Sequence, residues 1–292
     1  SWNDKINNVG GSPLMYSIGV GLADSYSTIT KFDNPEGALN NYYEGKRIGE
    51  IWGYVTDGFI QDEAEAQRMA TIQGDISKTW KVGDIRYKDL DGVEGITSAK
   101  TIYNTGDQKV IGNTTPRYSF NINASASWKG FDVRVFFEGI AKRDLWIDSP
   151  VFWGFPSNSN VWQSAVNDYH VDNSWSENNT NAYYPLPSYS GRSKQTQTKY
   201  LQNGAYIRLK DLTISYTIPK AWISTVGIEQ LKVFASGQNL WVGTKLFKYL
   251  DPDIVSTRQS NSKDNKLVGN LTSDGKAYPF SRTFSFGINL TF

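Results

Sequence analysis

Three groups of residues in this 292-residue chain have types and spacing that could do chemistry. The first surrounds the one histidine, His170, with Ser164, Asp168 and Asp172 close by in sequence. A Ser–His–Asp site needs convergence in space, and nothing in this spacing calls for it. Catalysis is therefore not expected, and a hydrolase stands only as an alternative. The second group lies in the run GDIRYKDLDGVEG, with Asp84, Asp89, Asp91 and Glu94. Oxygens of alternate acidic residues in a glycine turn can ligate a hard cation, so Asp89, Asp91 and Glu94 are the candidate Ca2+ ligands. The full EF-hand spacing is not met, and a solvated acidic turn accounts for the same residues. No other cofactor is expected.

The third group is a run of rings: Trp146, Phe152, Trp153, Phe155, Trp162, Tyr169 and Trp175. Aromatic faces meet the C–H surfaces of sugars, and neighbouring Asn and Asp meet hydroxyls, so the first six are candidate substrate contacts. The competing reading packs the same rings into the core of a long loop or against a partner.

The elements that must position these residues are strands. From Tyr118 to Trp128, Tyr118, Phe120, Ile122, Ala124, Ala126 and Trp128 alternate with Ser119, Asn121, Asn123, Ser125 and Ser127. That is period two without a break. Lys129-Gly130 follows, and then Phe131, Val133, Val135 and Phe137 alternate with Asp132, Arg134 and Glu138, which predicts a tight hairpin. Leu14 to Leu22 and Leu212 to Ile218 alternate likewise. Ile207 and Leu209 hold the opposite parity to Leu212, which predicts a bulge near Lys210-Asp211. Gln230 to Trp241 is a weaker strand, and Ser1 to Val9 reads as part of another. The chain closes on FSFGINLTF, where Phe284, Phe286, Ile288, Leu290 and Phe292 form one stripe and Ser285, Gly287, Asn289 and Thr291 the other.

Connections alternate between short and long. Residues 10–13, 129–130 and 219–228 are short; about 31–115, 141–203 and 243–278 are long. Short turns at one end and long loops at the other predict an all-β, antiparallel, up-and-down transmembrane β-barrel segment with long extracellular loops. Backbone groups inside hydrocarbon must pair within the protein, which a closed barrel achieves. A soluble β-sandwich alternates in the same way, but its loops are short at both ends. Within the loops, residues 61–73 predict a helix with Asp62 as N-cap and Glu65 in a capping box. RIGEIWGYVTDGFI (residues 47–60) reads as strand extensions projecting past the membrane.

Composition excludes several classes. The chain has no cysteine, so disulfides and thiolate metal sites are absent. Its formal net charge of +1 lacks the footprint of a nucleic-acid binder. Rings make up 14% of residues, which suits a membrane-interface belt or sugar stacking. No stretch approaches the roughly 20 apolar residues of a spanning helix. The start lacks both an initiator Met and a signal peptide, so the chain is expected to begin inside a longer protein or after processing. Its last residue is expected to be the true C-terminus.

Taken in order, RIGEIWGYVTDGFI, WKVGDIRYKDLDG, GDQKVIGNTTPRYSFNINASASWKGFDVRVFFEG, NGAYIRLKDLTISYTIP, FASGQNLWVGTKLFKYLDPDI and the terminal Phe resemble the C-terminal barrel part of a SusC/RagA-type TonB-dependent outer-membrane transporter of the Bacteroidetes. The resemblance runs along nearly all of residues 1–292. It implies a larger, 22-stranded plugged barrel of which this chain holds about seven strands. Seven strands cannot close a bacterial barrel. It implies import of oligosaccharides, or of oligopeptides in the RagA branch, across the outer membrane of a Gram-negative bacterium. It implies outer-membrane lipid around the wall, a SusD-like surface lipoprotein as lid, and energy from TonB–ExbB–ExbD. The plug and TonB box would lie outside this chain; a passive porin would have neither. It also implies that Phe284, Phe286, Ile288, Leu290 and Phe292 are read as a barrel-assembly signal. Against the family's D-L-N-G-D-G-type stretch, Val93 stands where an acid is expected and Glu94-Gly95 comes one residue late. Arg117, Arg134, Asp132 and Glu138 take the polar parity, as substrate or plug contacts or as solvated, mutually paired lumen lining.

Overall fold

The computed structural model describes residues 1–157, 162, 164–223, 227–255 and 279–292. In chain order the strands and helices begin with β1 (Trp2–Val9), β2 (Ser12–Ala23), β3 (Glu50–Tyr54), β4 (Thr56–Phe59), α1 (Glu63–Ile72), β5 (Ile85–Tyr87) and β6 (Gln108–Asn113). There follow β7 (Arg117–Trp128), β8 (Phe131–Lys142), β9 (Asp144–Leu145), α2 (Pro150–Trp153), α3 (Asp168–Asn173) and β10 (Gln202–Asn203). The last are β11 (Tyr206–Thr217), α4 (Lys220–Ile223), β12 (Gln230–Thr244) and β13 (Thr283–Thr291). No described helix is long and apolar enough to cross a membrane; that says nothing about crossing by strands.

One sheet of seven strands, in the order β1-β2-β7-β8-β11-β12-β13, forms the wall. Every neighbouring pair is antiparallel, so the wall is an up-and-down meander. It does not close on itself. The Lys129-Gly130 turn works because both residues take positive φ (48° and 87°), the geometry whose twist matches that of a hairpin. The register keeps each face chemically uniform. On one face Ile18 meets Ala124, Ala124 meets Val135, and Val133 meets Ile214. Val20 (70% exposed) and Phe286 (82%) are on this face, which suits hydrocarbon and not water. An apolar hollow of about 550 Å³ lies there too, between Phe131, Ile214 and Phe286. Asp4 is the exception; it shares this face with Tyr16 and accepts that hydroxyl's hydrogen bond at 3.4 Å. The opposite face carries Asn121, Asn123, Ser125 and Ser127 against Glu138, Phe136, Arg134 and Asp132.

The bulge falls where the parity change predicts it. Leu209 pairs with Phe137 and Trp241, and Asp211 pairs with Phe136 and Gln238. The register shifts across Lys210, whose Nζ lies 2.7 Å from both Glu138 and Asp253. Glu138 is on the polar face, and Asp253 is in the loop after β12.

The long connections fold into a body of their own. Residues 47–60 do not extend the wall strands: β3 pairs with β6, and β4 with β5, in two separate sheets. The run divides at Val55, between β3 and β4, and positive φ at Gly58 (112°) sits at the register shift within β4. Helix α1 starts as expected, with the Asp62 carboxylate accepting from the Glu65 N–H at 2.7 Å. Glu65 reaches one residue further back than a capping box requires and accepts from the Gln61 N–H. Most of the expected loop at 243–278 lies outside the described residues, as do small parts of 141–203 and 219–228.

Candidate functional site

The ring-rich stretch is the core of this outer body. Trp146, Phe152 and Trp153 are buried, and so is Trp175. Phe152 packs edge-on against Trp153, Tyr184 and Phe247 at centroid separations of 5.1–5.5 Å. The Trp153 indole N–H donates to the Ile147 carbonyl at 2.9 Å. Rings placed this way have no face free to stack on a sugar. A connection of this length holds its shape by burying apolar area, and rings bury the most per residue. Phe155 is half-buried on Tyr189, and half-buried Tyr169 carries the Lys248 ammonium 4.5 Å above its ring. Trp162 is 93% exposed.

His170 is buried and serves as a cap. Its Nδ1 accepts from the Asn167 N–H at 3.3 Å, and Nε2 lies 3.1 Å from the Phe152 carbonyl. Burial pushes its pKa down, which suits the neutral ring with Nε2–H donating. Ser164 is hydrogen-bonded instead to the Tyr189 hydroxyl. Asp84, at the head of the acidic run, is fully buried and accepts from Arg192 Nε at 2.6 Å and the Ser193 hydroxyl at 2.9 Å. That clamp ties the first long connection to the second. Lys194 is caged by the carbonyls of Phe155, Pro156 and Ser188, and burial pushes its ammonium down to about 8.

The structure gathers Asp89 and Asp91 not with Glu94 but with Asp107, their oxygens within 4.8 Å of one another. Glu94 is exposed. Buried Asp107 accepts from the Leu90 and Thr97 N–H groups, and Asp89 and Asp91 accept from Gly92 and Val93. Three carboxylates have the donor chemistry for Ca2+, which takes 6–8 oxygens. The turn is also fully accounted for by its own hydrogen bonds.

Three of the four expected polar-face charges are paired: Arg117 with Asp24, Asp132 with Lys232, and Glu138 with Lys210. Two hollows share the loop end of this face. One, of about 460 Å³, has a floor of Gly21, Ala23, Ser119 and Asn121 and walls of Phe136, Glu138 and Tyr206. The Asn121 amide lies flat over Gly21; a Cβ there would stand 2.6 Å from it. Its neighbour, of about 320 Å³, lies one ladder pair further out, between Arg117, Lys142 and the β3–β6 strand pair. Phe136 went unremarked in the sequence, although its signal is there. It is the one ring at a polar-parity position between Asp132 and Glu138.

The stripe Phe284, Phe286, Ile288, Leu290 and Phe292 is exposed on β13 and its end, on the apolar side of the wall.

A two-faced antiparallel meander, with tight turns at one end and a folded loop body at the other, is the wall of an outer-membrane β-barrel. No family model matches the chain. It is 30% identical over 249 residues to "TonB-dependent receptor P3" of Formosa agariphila, covering 85% of this chain and 22% of that protein. It is 26% identical over 222 residues to "TonB-dependent receptor P26" of the same organism, covering 72% and 20%. The chain thus spans about a fifth of the length of these curated relatives. Among solved structures, the fold matches a chain of the RagAB peptide importer in its open-open and closed-closed states. Each match has a TM-score of 0.65 at 18% identity and covers 99% of this chain and 28% of that one. Over most of its length the chain thus matches one segment of the TonB-dependent receptors, and that segment forms part of the wall of an outer-membrane β-barrel.

Proposed function

We propose that this segment lines the path of a TonB-dependent importer that carries oligosaccharides across the outer membrane beneath a SusD-like lipoprotein. The observation that carries this reading is the trough on the polar face. Its ring (Phe136), amide (Asn121), hydroxyl (Ser119) and carboxylate (Glu138) are the groups that meet a sugar's C–H face and its hydroxyls. Gly21, with no Cβ, leaves room for the Asn121 amide to lie along the floor of the trough. TonB coupling and the lipoprotein partner rest on the family and on the likeness to the RagAB complex. Oligopeptide import is the second reading, favoured by the peptide importer whose fold this chain shares. The test is uptake of labelled oligosaccharides and oligopeptides by the native host. Phe136→Ala should lower oligosaccharide uptake several-fold, in line with about 0.5–1.5 kcal/mol for an aromatic contact, at unchanged surface level. Unchanged uptake by that variant would reject the trough, and uptake of peptides alone would select the second reading.

A further inference from the structure

The outer hollow differs from the trough in its charge. Arg47, Arg117 and Lys142 line it, together with Glu50 and Asp144. Arg117 is committed to Asp24. Glu50 accepts from the Arg47 N–H and from the Tyr43 hydroxyl, which burial and the Glu50 charge keep protonated. Asp144 accepts from the Asn113 N–H at 3.0 Å. Among the described residues, neither the Arg47 guanidinium nor the Lys142 ammonium pairs with a carboxylate or donates a hydrogen bond. The Arg47 guanidinium carbon lies 4.8 Å from the centroid of the Tyr26 ring, a cation–π contact that spends none of its N–H donors on a hydrogen-bond acceptor. Glu50 and Asp144 keep their charge in the same hollow, but their oxygens already accept from N–H and O–H donors, so the groups left to bind a ligand there are the N–H donors of the two cations.

We propose that Arg47 and Lys142 form an anion subsite that takes a carboxylate or sulfate group of an imported oligosaccharide. The proposal rests on the oligosaccharide reading and narrows it to acidic chains. Lys142 and Arg117 face each other across the ladder pair next to Ser119 and Ile140, which line the trough. One sugar unit in the trough would thus place the acidic group of the next against the cations.

The test uses the whole receptor in its native outer membrane with its partner. Three size-matched, fluorescently labelled oligosaccharides serve as probes: neutral, uronate-bearing and sulfated. The double variant Arg47→Gln/Lys142→Gln should lose roughly ten-fold or more of its acidic uptake, the scale set by losing a hydrogen bond to a charged group. Neutral uptake should not change. A loss confined to the uronate or to the sulfated probe names the anion. Acidic uptake equal to wild type at equal surface level overturns the subsite and leaves the oligosaccharide reading standing. Failure of the wild type to take up any of the three, with an acidic peptide imported instead, overturns both.

Discussion

At the scale of single residues, His170 shows what a lone histidine does in this fold. A lone histidine near Ser and Asp invites a catalytic reading, yet both of its ring nitrogens are spent on backbone groups. Its chemistry is conformational. Burial lowers its folded-state pKa below the ordinary value, so the folded loops hold it neutral while the unfolded chain protonates it. Below about 6.5, the unfolded value, the unfolded state gains protons and the loop body loses stability as pH falls. Limited proteolysis of the outer loops should therefore speed up between pH 7.5 and 5. His170→Gln should weaken the loops at pH 7.5 and flatten that dependence; a slope that persists in the variant would assign it to other groups. None of this could be read from sequence, because the Phe152 carbonyl lies 18 residues away and only folding brings it to the ring.

At the scale of elements, the wall strands and helix α1 were legible and the rest of the loop body was not. Period two in Tyr118–Trp128 and the parity break at Lys210 are local signals, and both correspond to paired strands and a bulge. The run 47–60 has strand composition too, but its partners are β6 and β5, chosen by long-range pairing that no local pattern states. The rings are ambiguous for a related reason: type and spacing are equally good for a platform or a core, and burial decides. Two tryptophans separate these roles. Trp153→Ala removes a ring packed against Phe152, Trp146 and Tyr200 and should cost about 3–5 kcal/mol of loop stability. Trp162→Ala removes a ring in solvent and should leave loop stability unchanged. Thermal melting of the outer loops, followed by protease sensitivity, compares the two. Equal melting points would show that the rings do not carry the loop core.

At the scale of the whole molecule, the same ladder must satisfy two solvents at once. A one-residue slip would turn Asn123 to lipid and Val135 to the lumen, so the alternation fixes both register and orientation. The edge strand β13 tests this most sharply, since its stripe is exposed and its alternate residues are small. Phe286→Arg places a charge on the lipid side, where the cost near the membrane midplane is about 2–4 kcal/mol. Ser285→Arg, one residue away, places the same charge on the polar side beside Ser236. Heat-modifiability and surface labelling of the assembled receptor should therefore show strongly reduced insertion for Phe286→Arg and near-normal insertion for Ser285→Arg. The opposite ranking would invert the two faces of the sheet. The trough and the anion subsite would then lie on the lipid side, where no hydrated oligomer could reach them.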